Sequence, residues 1–422
     1  MLETLVIKSF DPKGKGVGQR ENKTSLLTVP FAYPGDRLAV NVISRSKKLA
    51  EIIEIIEPSP DRITPPCPYA GYCGGCPWQG LNYPAQLRHK EALIQSLFGE
   101  SEQIVPSPKQ YYFRNRMDFA FGENYTLGLR RGRSGILDLE KCLLLSEKSN
   151  FLMANLKSFA VKHDLRSHPD GLLRHAVIRE GKKVANMILN ILTNESAPLP
   201  LDPLWQELQN ELAGISWSIN RSPADLSVGD IQLTRGQDHY FDELNGLRFK
   251  IPVQSFFQTN PEQAERLIKT VAEFLALQGG ETILDLYSGT GSIGLSLADK
   301  AKKVIGFEED AAAAALSLEN AQLNGIGNYS ATAGRAEDVF PSFEGKVEVV
   351  VVDPPRPGLH KKVIRKLGEL KPTKLVYVSC NPRTQKDDLE KFKVFGYRVN
   401  RCQPLDMFPH TPHLENILLL TR

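Results

Sequence analysis

LDLYSGTGSIG, Leu284 to Gly294, closes a short apolar run and then turns. Gly289 and Gly291 allow a tight turn and a close backbone approach to a ligand, and the residues that follow read as a helix. A strand ending in such a turn and entering a helix is the opening unit of a doubly wound α/β sheet. The pattern repeats to the end of the chain. Strands are predicted over ETILDLYSG, KKVIGFEE, YSATA, VEVVVVDPP, KLVYVSC, YRVNRCQ and HLENILLLTR. Helices are predicted over SIGLSLADK, AAAAALSLENAQLN and KKVIRKLGEL. Ahead of them TNPEQAERLIKTVAEFLAL predicts a helix with Asn260 at the N-cap, Pro261 in the first turn and Gln263 at the third helical position. Ligands of such sheets bind outside the carboxyl ends of the strands.

Upstream the pattern changes. Residues 1–58 hold short Val- and Ile-rich runs, LETLVIKSF, SLLTVPF, RLAVNVI and AEIIEIIE, separated by the turn signals DPKGKGVG and YPGD. They predict a small β-barrel. KGKGVG is followed by no helix, so it reads as a flexible, basic turn and not as a phosphate loop. EPSPDRITPP is a Pro-rich linker. Residues 59–250 open on a Cys cluster, continue in a helix near Pro84 to Phe98 with Leu87, Ile94, Leu97 and Phe98 on related faces, and then show β-like segments with no evident sheet order. Residues 251–422 form the α/β domain.

With 422 residues the chain can bury two or three cores. Its net charge of +3 neither demands nor excludes nucleic acid. The start carries no signal-peptide pattern and no apolar run reaches membrane-spanning length, so a cytoplasmic location is expected. Six Cys there point to metal, catalysis or core rather than to disulfides.

Four predicted strands end in chemistry. Glu308, about twenty residues past the glycines, suits the hydroxyls of a ribose. Asp353 in VVVVDPPRPG and Cys380 in VYVSCNPRT face the same cleft, and Glu415 opens the last strand. The Gly289-Thr-Gly291-Ser-Ile-Gly294 spacing alone also admits a dinucleotide. The wider D-x-Y-S-G-x-G with its acid resembles the S-adenosylmethionine site of class I methyltransferases. DPP is followed by Arg356 and not by an aromatic residue, which counts against amino-group methylation. A thiolate beside a methyl donor suits carbon methylation of a pyrimidine. Uracil C5 is too weak a nucleophile until a thiolate adds at C6, and a base must then take the C5 proton.

FFQTN, LDLYSGTG, DPPRPG, VSCNPRT and HLEN follow the order found in the RNA 5-methyluridine methyltransferases, which the chain resembles along nearly its whole length. That resemblance implies Cys380 as nucleophile and Glu415 as base. It implies Gln258, Tyr287, Glu308 and Asp353 as cofactor-binding residues, with Tyr287 where the family often has Phe. Ser292 stands where some members have Asn.

Cys67, Cys73 and Cys76 form C-x5-C-x2-C, and Cys142 is the candidate fourth ligand. Four thiolates could hold zinc or a 4Fe-4S cluster. Paired zinc knuckles are absent, and members of the same family with an iron–sulfur cluster share this spacing. Cys402 reads as a core or strand residue. The barrel resembles the TRAM module, which implies RNA binding, with Lys13, Lys15, Arg45, Lys47 and Lys48 as candidate phosphate contacts. FRNRMDF and LRRGRSG add Arg near aromatic residues. A TRAM module together with cluster cysteines points to 23S rRNA as substrate, with tRNA as the alternative. The rivals are a cytidine or amino-group enzyme and a non-catalytic RNA-binding or ribosome-assembly factor. No Cys in DPPRPG speaks against the first, and intact Cys380, Glu415 and Gln258 speak against the second.

Overall fold

The computed structural model describes residues 2–20, 25–131, 135–167, 171–194 and 197–422. Its first strands are β1 (Leu2–Phe10), β2 (Gly16–Arg20), β3 (Leu26–Val29), β4 (Arg37–Ser44) and β5 (Leu49–Glu57). They close into a barrel in the order β1-β2-β3-β5-β4. Alternate residues such as Leu5, Ile7, Leu38 and Val40 fill its interior. The turn between β1 and β2 is ordered, not loose. Asp11 Oδ1 accepts the amides of Lys13 and Lys15, and Gly14 donates to the Asp11 carbonyl. A short Asx-type network supplies the rigidity that composition conceals.

Helix α1 (Tyr83–Phe98) follows the cysteine segment. Its buried face is Gln86, Lys90 and Ile94, not the apolar set Leu87, Leu97 and Phe98. Two of those three are polar because they meet polar partners on the far side of the chain. Lys90 Nζ bonds Asp406 at 2.5 Å, and Gln86 brackets His410.

The segments that the sequence left unordered form one seven-stranded sheet. They are β6 (Arg116–Phe121), β7 (Leu127–Arg130), β8 (Ile136–Asp138), β9 (Leu173–Glu180), β10 (Met187–Thr193), β11 (Gly214–Ile219) and β12 (Asp230–Gly236). Their order is β12-β11-β10-β9-β6-β7-β8, with α2 (Glu147–Lys162) and α3 (Leu201–Leu208) covering its core. Pairing β6 with β9, where Met117 meets Ile178 from 61 residues along the chain, is the long-range step that local pattern does not reveal.

A hairpin, β13 (His239–Leu244) and β14 (Leu247–Pro252), leads into the α/β layer. Tyr240, Leu244, Phe249 and Ile251 belong to the same core as Val271 and Ile283. The break in packing therefore falls before His239, and the boundary expected at 250 cuts through β14. Helix α4 (Pro261–Leu275) starts at Asn260, whose side chain accepts the Gln263 amide at 3.3 Å. Gln263 does not return the bond and donates instead to the Val105 carbonyl.

The second seven-stranded sheet holds β15 (Thr282–Leu286), β16 (Lys303–Glu308), β17 (Tyr329–Ala333), β18 (Val349–Val352), β19 (Lys374–Ser379), β20 (Arg398–Leu405) and β21 (Glu415–Thr421). The order is β17-β16-β15-β18-β19-β21-β20, and only β21 runs antiparallel to its neighbours. Helices α5 (Ser292–Leu297), α6 (Ala311–Leu323), α7 (Ala336–Val339), α8 (Lys361–Leu370) and α9 (Pro382–Lys393) complete the layers. Strand order reverses between β15 and β18, which opens a crevice at their carboxyl ends. No helix among the described residues is long and apolar enough to cross a membrane.

Candidate active site

The carboxyl ends of β15, β16, β18 and β19 share one edge because these strands are parallel. Tyr287 follows β15, Glu308 ends β16, Asp353 follows β18 and Cys380 follows β19. The antiparallel β21 brings its first residue to the same edge. Ser379 pairs with Asn416, so the next residues outward, Cys380 and Glu415, face each other. Gln385 of α9 locks this register. Its amide donates to Tyr377 and Asn416 carbonyls at 2.8 and 3.2 Å, and it accepts from Asn416 Nδ2 at 2.8 Å.

The electrostatics follow from burial. Glu415 is 6% exposed, and its Oε2 has no hydrogen-bond partner among the described residues. Burial, and then the Asp353 carboxylate, push its carboxyl well above the usual range against the pull of Arg356. Burial lifts Asp353 to about 7. The half-buried Cys380 thiol is raised by desolvation first and by Glu415 next, while Arg356 works the other way and bonds it. Arg356 is held by its carbonyl, which accepts from Asn381 Nδ2 and Thr384 Oγ1, both at 3.1 Å. The site therefore sets a thiol and a buried carboxyl across one strand pair, with the Arg356 guanidinium bonded to the thiol.

Next to it lies a cradle. Glu308 accepts the Gly289 amide at 2.8 Å and the Asp310 amide at 2.9 Å, which fixes its carboxylate at the end of β16. A Cβ added at Gly289 would meet nothing within 4 Å, so the space above the turn is open. Tyr287 sits at φ +65°, which bends the chain away from the sheet. Its hydroxyl is pushed up by burial and lies against the His360 backbone near Glu337. Asp285, beneath the turn, accepts the Gly294 amide at 3.0 Å and is lifted by burial to about 7. Open room over a glycine turn, flanked by an oriented acid, fits a nucleoside cofactor.

Gln258 arrives from another direction. Asn115, just before β6, donates its side-chain amide to the Gln258 carbonyl at 2.9 Å and its backbone amide to Thr259 at 3.1 Å. Arg179 of β9 bonds the Ser255 carbonyl. Asp285, Arg356, Gln385 and Asn115 all escaped the sequence reading as site-forming residues. Asp285, Arg356 and Asn115 stand inside quoted motifs, Asn115 in FRNRMDF, whereas Gln385 carries no local signal.

The four cysteines Cys67, Cys73, Cys76 and Cys142 line one cavity of about 470 Å³ together with Arg114 and Phe256. The Cys76 thiol is raised by burial and then by its neighbours Cys142 and Cys73; Cys142 is pushed up to about 11, mainly by burial. Among the described residues no three His, Cys, Asp or Glu side chains could hold a single metal ion. Tetrahedral zinc draws its thiolates within about 4 Å of one another, given bonds of about 2.3 Å. The four thiols line one cavity, a donor set of the kind that binds a thiolate-held metal centre. Cys402 lies in β20, buried, with its thiol toward Asn416 Oδ1 at 3.6 Å. In LRRGRSG, residues 132–134 lie outside the described residues.

Residues 238–422 match the family model described as tRNA (Uracil-5-)-methyltransferase. The tRNA (uracil(54)-C(5))-methyltransferase of Pyrococcus furiosus is 36% identical, covering 99% of both chains. An uncharacterized RNA methyltransferase of Nanoarchaeum equitans is 36% identical across 100% of this chain and 94% of its own. The crystal structure of the Pyrococcus abyssi tRNA (uracil-54, C5)-methyltransferase with S-adenosyl-L-homocysteine superposes with a TM-score of 0.84 at 33% identity, covering 99% of each chain.

Proposed function

Because this chain belongs to the family of RNA uracil-C5 methyltransferases, we propose that it methylates C5 of a tRNA uridine, at position 54, through a covalent bond between Cys380 and C6. The observation that carries this reading is the facing pair Cys380 and Glu415 at the open edge of the sheet. S-adenosylmethionine, when bound, supplies an electrophilic methyl group. Gln258, Tyr287, Glu308 and Asp353 are the residues proposed to hold it.

The Cys380 thiolate adds to C6, and the electrons of the C5–C6 double bond move toward the C4 carbonyl. C5 becomes enolate-like and takes the methyl group. Glu415 then accepts the C5 proton, the C6–S bond breaks and the thiolate returns. A carboxyl raised by burial is a stronger base than an ordinary one, and its unpartnered Oε2 leaves an acceptor free. Arg356 favours the thiolate over the thiol. The target base leaves its stack to reach this pair.

The names of the Pyrococcus relatives support tRNA over 23S rRNA. The rRNA expectation rested on finding a barrel and a cysteine cluster in one chain. Those tRNA-named relatives match along 98–99% of this chain, barrel and cysteine segments included. The combination therefore does not separate the two branches. The barrel serves as a TRAM-like RNA module, and a cytoplasmic setting follows from such a substrate. Cys67, Cys73, Cys76 and Cys142 are the proposed ligands of a 4Fe-4S cluster. When bound, it would cross-link the 67–76 loop to the loop ahead of α2.

The test uses tRNA and ribosomal RNA carrying 5-fluorouridine. Fluorine cannot leave C5 as a proton does, so the adduct persists. With S-adenosylmethionine, wild type should shift substituted tRNA on a denaturing gel, and Cys380→Ala should not. A shift with ribosomal RNA alone would restore the rRNA reading. No adduct with either RNA would sink the uridine mechanism.

A further inference from the structure

The wall of the cysteine-lined cavity carries one charge that nothing answers. Arg114 lines it together with Cys76 and Cys142. Its guanidinium makes no hydrogen bond and no ion pair among the described residues, and its Nε is sealed from solvent. The other charged groups of that wall differ. Arg116 and Asp118 bond each other at 2.7 and 2.8 Å, and Lys141 is exposed.

The thiols are the groups that Arg114 faces. Burial depresses the guanidinium, while Cys76 and then Cys142 support it, ahead of Asp118. A guanidinium drawn out of water without an anionic partner is costly, so its position calls for one. The local backbone is held without this side chain. The Arg114 amide donates to the Leu144 carbonyl at 2.9 Å and the Tyr112 amide to Leu143 at 2.8 Å, which ties the segment to the Cys142 loop. Asn115, the next residue, ties it to the loop of Gln258. The guanidinium is therefore free for another task.

Four deprotonated thiols would supply the anion. They bring four negative charges, and an iron–sulfur core returns only part of them. A net anion lodged among buried residues needs a fixed cation. We propose that Arg114 is the fixed counter-charge of the cysteine-held centre and donates N–H groups toward the sulfurs on its Cys76 and Cys142 side. This rests on the proposed 4Fe-4S cluster. A cation and N–H donors beside the sulfurs have two effects. They tighten the hold on metal, and they favour an added electron, which raises the reduction potential.

The experiment isolates full-length wild type, Arg114→Gln and Arg114→Lys without oxygen and uses no RNA. Iron and sulfide are counted, iron is stripped with a series of chelator concentrations, and the reduction potential is read by film voltammetry. Arg114→Gln should lose its iron at about ten-fold less chelator. Its remaining centre should take an electron at a lower potential than wild type. Arg114→Lys keeps the charge without the planar fork and should lie close to wild type. The potential is read on the centres that are retained, so a loss of folded protein does not imitate the effect. Should Arg114→Gln fold, by circular dichroism, yet hold no iron while Arg114→Lys holds it, the counter-charge is confirmed. Unchanged retention and potential in Arg114→Gln would overturn the proposal, as would an Arg114→Lys that is as weak as Arg114→Gln. A wild type without iron and sulfide would remove the cluster itself, and this proposal with it. A wild type holding both keeps the cluster reading whatever Arg114 does.

Discussion

At the residue scale, the pair Cys380 and Glu415 determines how rate depends on pH. The thiol is raised by burial and by Glu415, and Glu415 is raised by burial and by Asp353, itself near 7. Low pH therefore favours the protonated carboxyl and the neutral thiol, the wrong forms of base and nucleophile. Raising the pH supplies both. The single-turnover methylation rate should climb from pH 6 to pH 9, and a flat profile would show that neither group titrates in the rate-limiting step. Glu415→Gln separates the two roles. The thiolate can still add and the methyl group can still transfer, but the C5 proton stays. Turnover should fall by about a hundred-fold or more, at the upper end of what general bases contribute. The covalent RNA–protein species should accumulate with ordinary uridine, seen by denaturing gel. Loss of turnover with no trapped adduct would assign Glu415 a different role.

At the element scale, α1 and the loop after β20 are joined by a buried ion pair. Lys90 and Asp406 are both 0% exposed, and Lys90 also bonds the Phe408 carbonyl at 3.1 Å. Burial depresses the Lys90 ammonium while Asp406 supports it. Removing one partner leaves a buried charge uncompensated, whereas replacing both with apolar groups does not. Lys90→Met should cost about 3 kcal/mol in urea unfolding, and Lys90→Met/Asp406→Leu should recover most of it. Equal losses in single and double variants would mean that the helix is held by packing alone. Of the face expected for α1 only Ile94 is fully buried, for a related reason. Its apolar residues Leu87, Leu97 and Phe98 are only partly covered, and its buried stripe is chosen by partners more than 300 residues away.

At the scale of the whole molecule, polar contacts from the middle sheet, from Trp78 and from α1 converge on two loops, the one holding Gln258 and the one delivering Glu415. The thiol-lined cavity belongs to the middle layer and includes Phe256 and Thr259, which flank Gln258. On the proposed cluster, Cys142→Ser should lower bound iron and sulfide in protein isolated without oxygen. It should open the middle segment to proteases while the α/β sheet, with its own core, stays resistant. Full iron retention in that variant would remove Cys142 from the ligand set.

Much of this was legible in the sequence. Glycines at the end of a strand, acids after strands and alternation of strand with helix are local signals, because a parallel sheet repeats one short unit. The sequence thereby determined the α/β layer, its cofactor edge and the place of Cys380 at the end of a strand on that edge. Only the tertiary structure decided the rest. It ordered the middle strands, whose partners are far apart in the chain, and moved the hairpin His239–Pro252 into the catalytic core. It made a basic turn rigid by docking it on Trp78 and Pro412. It also set Glu415 opposite Cys380 by an antiparallel register. Register and docking are sums over contacts distant in sequence, and no window of neighbouring residues contains them.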